Sequence, residues 1–111
     1  MNILEQVHGA GFVYNDLKLD NLLVDADTDI KDVCKTDDDI FDMINVNLID
    51  FGYITKYQDS TTKEHISKSK VDMFRGNIVF SSVHQLKLDV TGRRDDMISL
   101  FYLMIYLLCN G

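Results

Sequence analysis

Brief apolar runs fenced by polar residues fill the first half of the chain, and one long apolar run closes it. Ile3, Leu4 and Val7 fall on one helical face. Residues 2–8 therefore read as the last turns of a helix, with Gly9 and Gly11 as its stop. Residues 12–14, 22–24 and 46–49 are short apolar stretches bounded by polar ones, the pattern of brief strands. Residues 53–57 suggest a fourth strand after a glycine turn. Between residues 58 and 70 the chain is polar, with Ser60, Thr61, Thr62, Ser67 and Ser69, and has no hydrophobic period, which predicts a mobile loop. Residues 97–108 are apolar apart from Ser99, so the helix they predict is apolar on every side and must be buried or lie in a membrane. A span needs about 20 residues. A buried central helix, entered through Arg93-Arg94-Asp95-Asp96, is the better reading. The elements together predict an α+β protein without internal repeats.

Composition narrows this picture. A chain of 111 residues, 46% apolar, suffices for one small globular domain with a thin stability margin. Pro is absent, which removes the usual rigid turns. Cys34 and Cys109 share no motif spacing and no signal peptide precedes them, which fits reduced thiols in the cytoplasm or nucleus. The net charge of −7 argues against a nucleic-acid partner, which would call for a basic stripe. Much of the acidity is one local run. Residues 25–42 carry eight aspartates against Lys31 and Lys35, a local net of −6. Such a run reads as a solvated loop, an insertion at about residues 25–45. A calcium site is the sharper alternative, but Asp25, Asp27 and Asp29 lack the Gly and closing Glu of an EF-hand loop.

The candidate chemistry lies in Tyr14-Asn15-Asp16-Leu17-Lys18-Leu19-Asp20-Asn21, followed further on by Asp50-Phe51-Gly52. Phosphoryl transfer from ATP to a hydroxyl needs few parts, mostly electrostatic. Asp16, in a loop after a strand, can orient or accept the hydroxyl proton. Lys18 can reach the same space and neutralise charge on the transferred group. Mg2+ prefers hard oxygen ligands, which the Asn21 amide and the Asp50 carboxylate supply. Gly52 is expected to let the backbone turn so that Asp50 faces the site. Each residue alone has an ordinary reading as a solvated polar side chain. The spacing Asp-x-Lys-x-x-Asn between two short strands, with a third strand ending in Asp-Phe-Gly, is what carries the signal.

These motifs resemble the casein kinase I family of Ser/Thr protein kinases. Residues 4–8 with Gly11-Phe12 resemble the end of the helix that leads into the family's catalytic loop. Leu48-Ile49-Asp50-Phe51-Gly52-Tyr53, with Lys56-Tyr57, resembles its metal-binding segment. Residues 76–82 stand where the family has Gly-x-x-x-Tyr-Ala-Ser, and Gly92-Arg93-Arg94-Asp95-Asp96 is similar to its Arg-Arg-Asp-Asp helix start. The resemblance implies a kinase-like fold, mainly the α-helical C-terminal lobe with short strands around the two loops. Residues 1–111 would be a partial kinase domain: the end of helix E, the catalytic loop, the metal-binding loop, the activation segment and helix F. It implies Asp16 as catalytic base, Lys18 as phosphate contact, and Asn21 and Asp50 as ligands of the metal and hence of the nucleotide. Asp96 would brace the catalytic loop from below. ATP, Mg2+ and a protein substrate are the implied partners, with no nucleic acid and no membrane.

Several positions depart from the family. Tyr14 stands in place of its His, Asn15 of an Arg that could pair with an activation-loop phosphate, and Leu19 of a Pro. Val79 replaces an Arg of the family's anion pocket, and Phe101 a Gly of the buried helix. The 111 residues contain no Gly-rich loop and no strand Lys paired with a helix Glu. A fragment of such a kinase, inactive alone, is therefore the expectation. A kinase remnant serving as a scaffold ranks lower, because Asp16, Asn21 and Asp50 are all present. A small-molecule kinase of the choline or aminoglycoside type shares the Asn15-Asp16-Leu17 element, but Gly52 and Arg93-Arg94-Asp95-Asp96 favour the protein kinase.

Overall fold

The computed structural model describes residues 2–24 and 45–109. The Asp-rich run of residues 25–42 lies outside them, as do Cys34 and the calcium alternative.

Helix α1 (Asn2–Gly9) is amphipathic. Leu4 is buried, and Ile3 and Val7 pack against the same cluster. The helix runs one residue further than its glycine signal suggested, and Gly9 is its last residue. The turn that ends it is made at Gly11, whose φ of +91° suits a residue without Cβ. Strand β1 (Phe12–Val13) follows, then a 3-10 turn (Leu19–Asn21), β2 (Leu22–Val24), β3 (Val46–Leu48) and β4 (Thr55–Lys56). Two antiparallel pairs result. In one, β1 meets β4 with Val13 opposite Thr55; in the other, β2 meets β3 with Leu22 opposite Leu48. Each strand is shorter than its apolar run wherever an adjoining backbone group has a partner outside the ladder. Tyr14 N–H, for example, donates to Asp96 instead of extending β1.

The buried cluster is Leu4, Tyr14, Leu17 and Leu48, with Leu22, Ile54 and Leu100 against it. Burial of such side chains contributes roughly 1.5–3 kcal/mol each. The cluster lies directly beneath residues 14–17, so the loop carrying Asp16 rests on the core.

The segment 58–70 was expected to be a mobile loop, and it holds more order than its composition suggests. Asp59 accepts from the backbone N–H groups of Thr61 and Thr62, and Gln58 bridges to His65. Lys70 bridges to Asp89, with Val71 N–H on Leu88 O and Val90 N–H on Ser69 O. Side-chain capping and backbone pairing, not apolar burial, organise it. A helical turn, α2 (Val83–Leu86), was not anticipated; Ser82 caps it by accepting from Gln85 N–H.

Helix α3 (Arg93–Leu108) corrects the expectation of a buried helix. Asp95, Asp96, Ser99 and Leu103 are buried, at a spacing that puts them on one face. Phe101 is 60% and Leu108 81% exposed. The core beside α3 is small, so the helix covers a single stripe against it. Among the described residues no helix is long and apolar enough to cross a membrane.

Candidate active site

The loop after β1 is fastened from below. Both oxygens of Asp96, fully buried at the start of α3, accept from it: Oδ2 from Tyr14 N–H at 2.8 Å and Oδ1 from Asn15 N–H at 2.9 Å. The Asp96 Oδ2 also lies 2.7 Å from His8 Nε2 at the end of α1. One carboxylate thus ties the first and last helices to the loop. Asp95, beside it, accepts from Ser82 Oγ at 2.6 Å and Gly92 N–H at 2.7 Å.

Asp16 is buried as well, and its carboxylate has a partner on each oxygen. Asn21 Nδ2 donates to Oδ2 at 3.0 Å and Asn77 Nδ2 to Oδ1 at 3.2 Å. Lys18 Nζ sits 3.6 Å from Oδ2, an ion pair with the amine partly in solvent. The 3-10 turn over Leu19–Asn21 carries the Asn21 side chain back over Asp16, where Nδ2 also donates to the Asp16 carbonyl. Its Oδ1 makes none of these bonds.

Asp50 reaches the same place through the sheet. The β2–β3 register sets Ile49 against Asn21, with Ile49 N–H donating to Asn21 O at 3.0 Å. Tyr14 secures this segment from the other side. Its hydroxyl donates to Ile49 O at 2.5 Å, and Phe51 stacks edge-on at 5.5 Å between ring centroids. Burial, helped by the neighbouring Asp16, Asp50 and Asp96 charges, pushes the Tyr14 phenol up to about 12, so the hydroxyl remains a donor. Asp50 is exposed, and it is Asp50, not Gly52, that adopts the left-handed backbone, with φ of +59°. Gly52 contributes differently. Its N–H donates to Asp50 Oδ1, and a Cβ there would come within 3.2 Å of that oxygen.

The structure thus brings together Asp16, Lys18 and Asn21, with Asp96 underneath; Asp50, with Gly52 beside it, follows Ile49, whose backbone pairs with Asn21. Sequence reasoning passed over Asn77. Its Nδ2 also donates to Leu17 O at 2.9 Å, and its Oδ1 accepts from Phe80 N–H at 2.9 Å. It lies 61 residues from Asp16 and is a lone amide before exposed Ile78 and Val79. Gly76, whose φ of +119° marks a sharp turn just ahead of it, is the nearest signal.

Were Asn21 and Asp50 to hold a metal, they would offer one amide oxygen and one carboxylate. That suits Mg2+, which usually takes one or two carboxylates and keeps its other positions for water and phosphate.

No family model matches the chain. Among curated proteins it is 31% identical over 109 residues to casein kinase 1-like protein HD16 of Oryza sativa subsp. japonica, covering 97% of this chain and 14% of that protein. It is 29% identical over 108 residues to casein kinase I homolog 1 of Saccharomyces cerevisiae, covering 97% of this chain and 18% of that one. The chain therefore spans less than a fifth of either relative's length. Across almost its whole length the chain is casein kinase I-like.

Proposed function

We propose that these residues form the catalytic and metal-binding part of the C-terminal lobe of a Ser/Thr protein kinase. In that reading α1 ends helix E, the segment after Gly52 is the activation segment and α3 is helix F. The observation that carries it is the Asp16 carboxylate, oriented by an amide on each oxygen, with Lys18 at 3.6 Å and Asp50 brought beside Asn21 through Ile49. Asp16 orients the substrate hydroxyl and takes its proton. Lys18, the nearest cation, offsets charge on the transferred group. Asn21 and Asp50 would hold Mg2+, which supplies charge neutralisation for ATP phosphates when bound. A protein Ser or Thr is the acceptor, in the cytoplasm or nucleus.

Positioning supplies most of the rate in such a transfer, so half of a nucleotide cleft does not give half of the activity. The 111 residues alone are accordingly expected to be inactive. The test is Mg2+-dependent transfer from ATP to casein by the product of the whole gene, with Asp16→Ala as the control. Transfer that Asp16→Ala abolishes supports the reading. Transfer unchanged by Asp16→Ala would overturn it, as would activity of the 111 residues alone for the claim of half a site.

A further inference from the structure

Asn15 is 4% exposed and has left-handed backbone, φ +71°, a conformation that Asn adopts more readily than most residues. Its side chain joins two distant segments. Nδ2 donates to Tyr53 O at 2.7 Å and to Thr55 Oγ1 at 2.9 Å, while Oδ1 accepts from Thr91 Oγ1 at 2.6 Å. Thr55 and Thr91 hydroxyls lie 3.4 Å apart. Thr91 spends its one hydrogen on Asn15, so Thr55 is left to donate to Thr91, and the three side chains close a ring of hydrogen bonds. The Asn15 backbone is held too, with its N–H on Asp96 and its carbonyl accepting from Gln85 Nε2 at 2.8 Å. Gln85 also donates to Arg75 O, and a Cβ at Gly76 would collide with the Asn15 carbonyl. Beside the ring lies a cavity of about 50 Å³ whose charged lining is one cation, Arg75, and one anion, Asp89. It is small and charge-balanced, with no cluster of cations to receive a phosphate.

We propose that the ring of Asn15, Thr55 and Thr91 fastens Tyr53, Thr55 and Thr91 to the Asp16 loop through a neutral link, so that no phosphorylated residue is needed to hold them there. The ring does not depend on the reading of Asp16 as the base.

The test compares amide-exchange protection at residues 53–57 and 91 in the chain and its variants, each against wild type at the same pH. Asn15→Asp keeps the size of the side chain but, when ionised, loses the donor to Tyr53 O. A protonated carboxyl regains it. Asp16 and Asp96 on either side, with Tyr53 O, favour the protonated form, while Arg75 across the cavity opposes it and Asp89 does not. Protection should therefore fall roughly 5- to 10-fold at neutral pH, the worth of about one buried hydrogen bond, and recover as the pH is lowered. Thr91→Val, which keeps the packing and removes the ring's donor, should lose protection to a similar degree without recovery in acid. Ser60→Glu, Thr61→Glu, Thr62→Glu, Ser67→Glu and Ser69→Glu together should leave protection within about twofold, because exposed charges contribute little. Unchanged protection in Thr91→Val, a loss in Asn15→Asp that ignores pH, or a gain from the Glu substitutions would each overturn the neutral link. Should Asn15→Asp not fold at any pH, Thr91→Val decides alone. None of these readouts depends on phosphoryl transfer, so failure of the kinase reading and failure of the ring are told apart.

Discussion

The two ends of α3 bury opposite kinds of side chain. Its first two turns hide Asp95, Asp96 and Ser99, while its last two expose Phe101, Met104, Ile105, Leu107 and Leu108. Taken as hydropathy alone, the helix is inside out. The first half is stable in this arrangement because each buried polar atom is satisfied. Asp96 takes three donors and Asp95 two, and among the described residues no buried side-chain N or O lacks a partner. The second half has no such constraint, and no described segment covers its outer face. Burial in this molecule follows the loop that must be held still. The polar half of α3 sets the height and direction of residues 14 and 15, whereas the apolar half is largely exposed surface.

The largest effect should come from cutting the polar half at its centre. Asp96→Ala leaves the buried N–H groups of Tyr14 and Asn15 without acceptors, at about 1–3 kcal/mol each. It also strands His8. Against a typical net stability of about 5–15 kcal/mol, that should remove most of the cooperative unfolding transition in urea. Asp96→Asn, which keeps one acceptor oxygen, should lose less. A urea midpoint for Asp96→Ala equal to wild type would mean that the carboxylate does not hold the loop.

Tyr14 holds the same loop from the core side. Its ring is fully buried and its phenol rises from 10 to about 12. The folded state therefore keeps a proton that the unfolded chain gives up, so this contribution is complete below pH 10 and is lost as the pH climbs towards 12. At about 1.4 kcal/mol per unit, the loss amounts to roughly 2–3 kcal/mol. Tyr14→Phe should flatten this alkaline limb while costing the hydrogen bond to Ile49 at neutral pH. Tyrosinate absorbance that appears entirely at its ordinary pH, with no late step lost in Tyr14→Phe, would contradict the burial of this hydroxyl.

Much of this arrangement is visible in the residues themselves. The apolar spacing of Ile3, Leu4 and Val7 marks α1, and the short runs mark the strands to within a residue or two. Asp16, Lys18, Asn21 and Asp50 stand out by spacing; the first three meet in the structure, and the β2–β3 register sets Ile49, the neighbour of Asp50, against Asn21. What stays hidden is what depends on partners far along the chain. Asn77 and Gln85 reach the loop across 61 and 70 residues as single amides, which leave no periodic trace. Helix α2 is four residues long, too short for a hydrophobic period, and only Ser82 as a cap announces it. The all-round apolar character of α3 predicted burial because periodicity reports what a helix can bury, not how much cover its neighbours provide.

The smallest effect on stability, and the clearest separation of the two halves, should come from the outer face of α3. Phe101, Met104, Ile105 and Leu108 recur at intervals of three and four residues and so share one side of the helix, and they are 60, 51, 43 and 81% exposed. Side chains already in water contribute little to folding, and substitutions there usually fall within about 0.5 kcal/mol. They matter for association instead, because contiguous apolar surface beyond a few hundred Å² is uncommon on soluble monomers. The chain should therefore bind a hydrophobic dye and self-associate in sedimentation. Phe101→Gln, Met104→Gln, Ile105→Lys and Leu108→Lys together should abolish both while moving the urea midpoint little. If the quadruple variant instead lost its cooperative transition, the apolar half would be supporting the fold as the polar half does. If the unaltered chain were monomeric and bound no dye, the outer face would be covered from within these residues, and the contrast between the two halves would disappear.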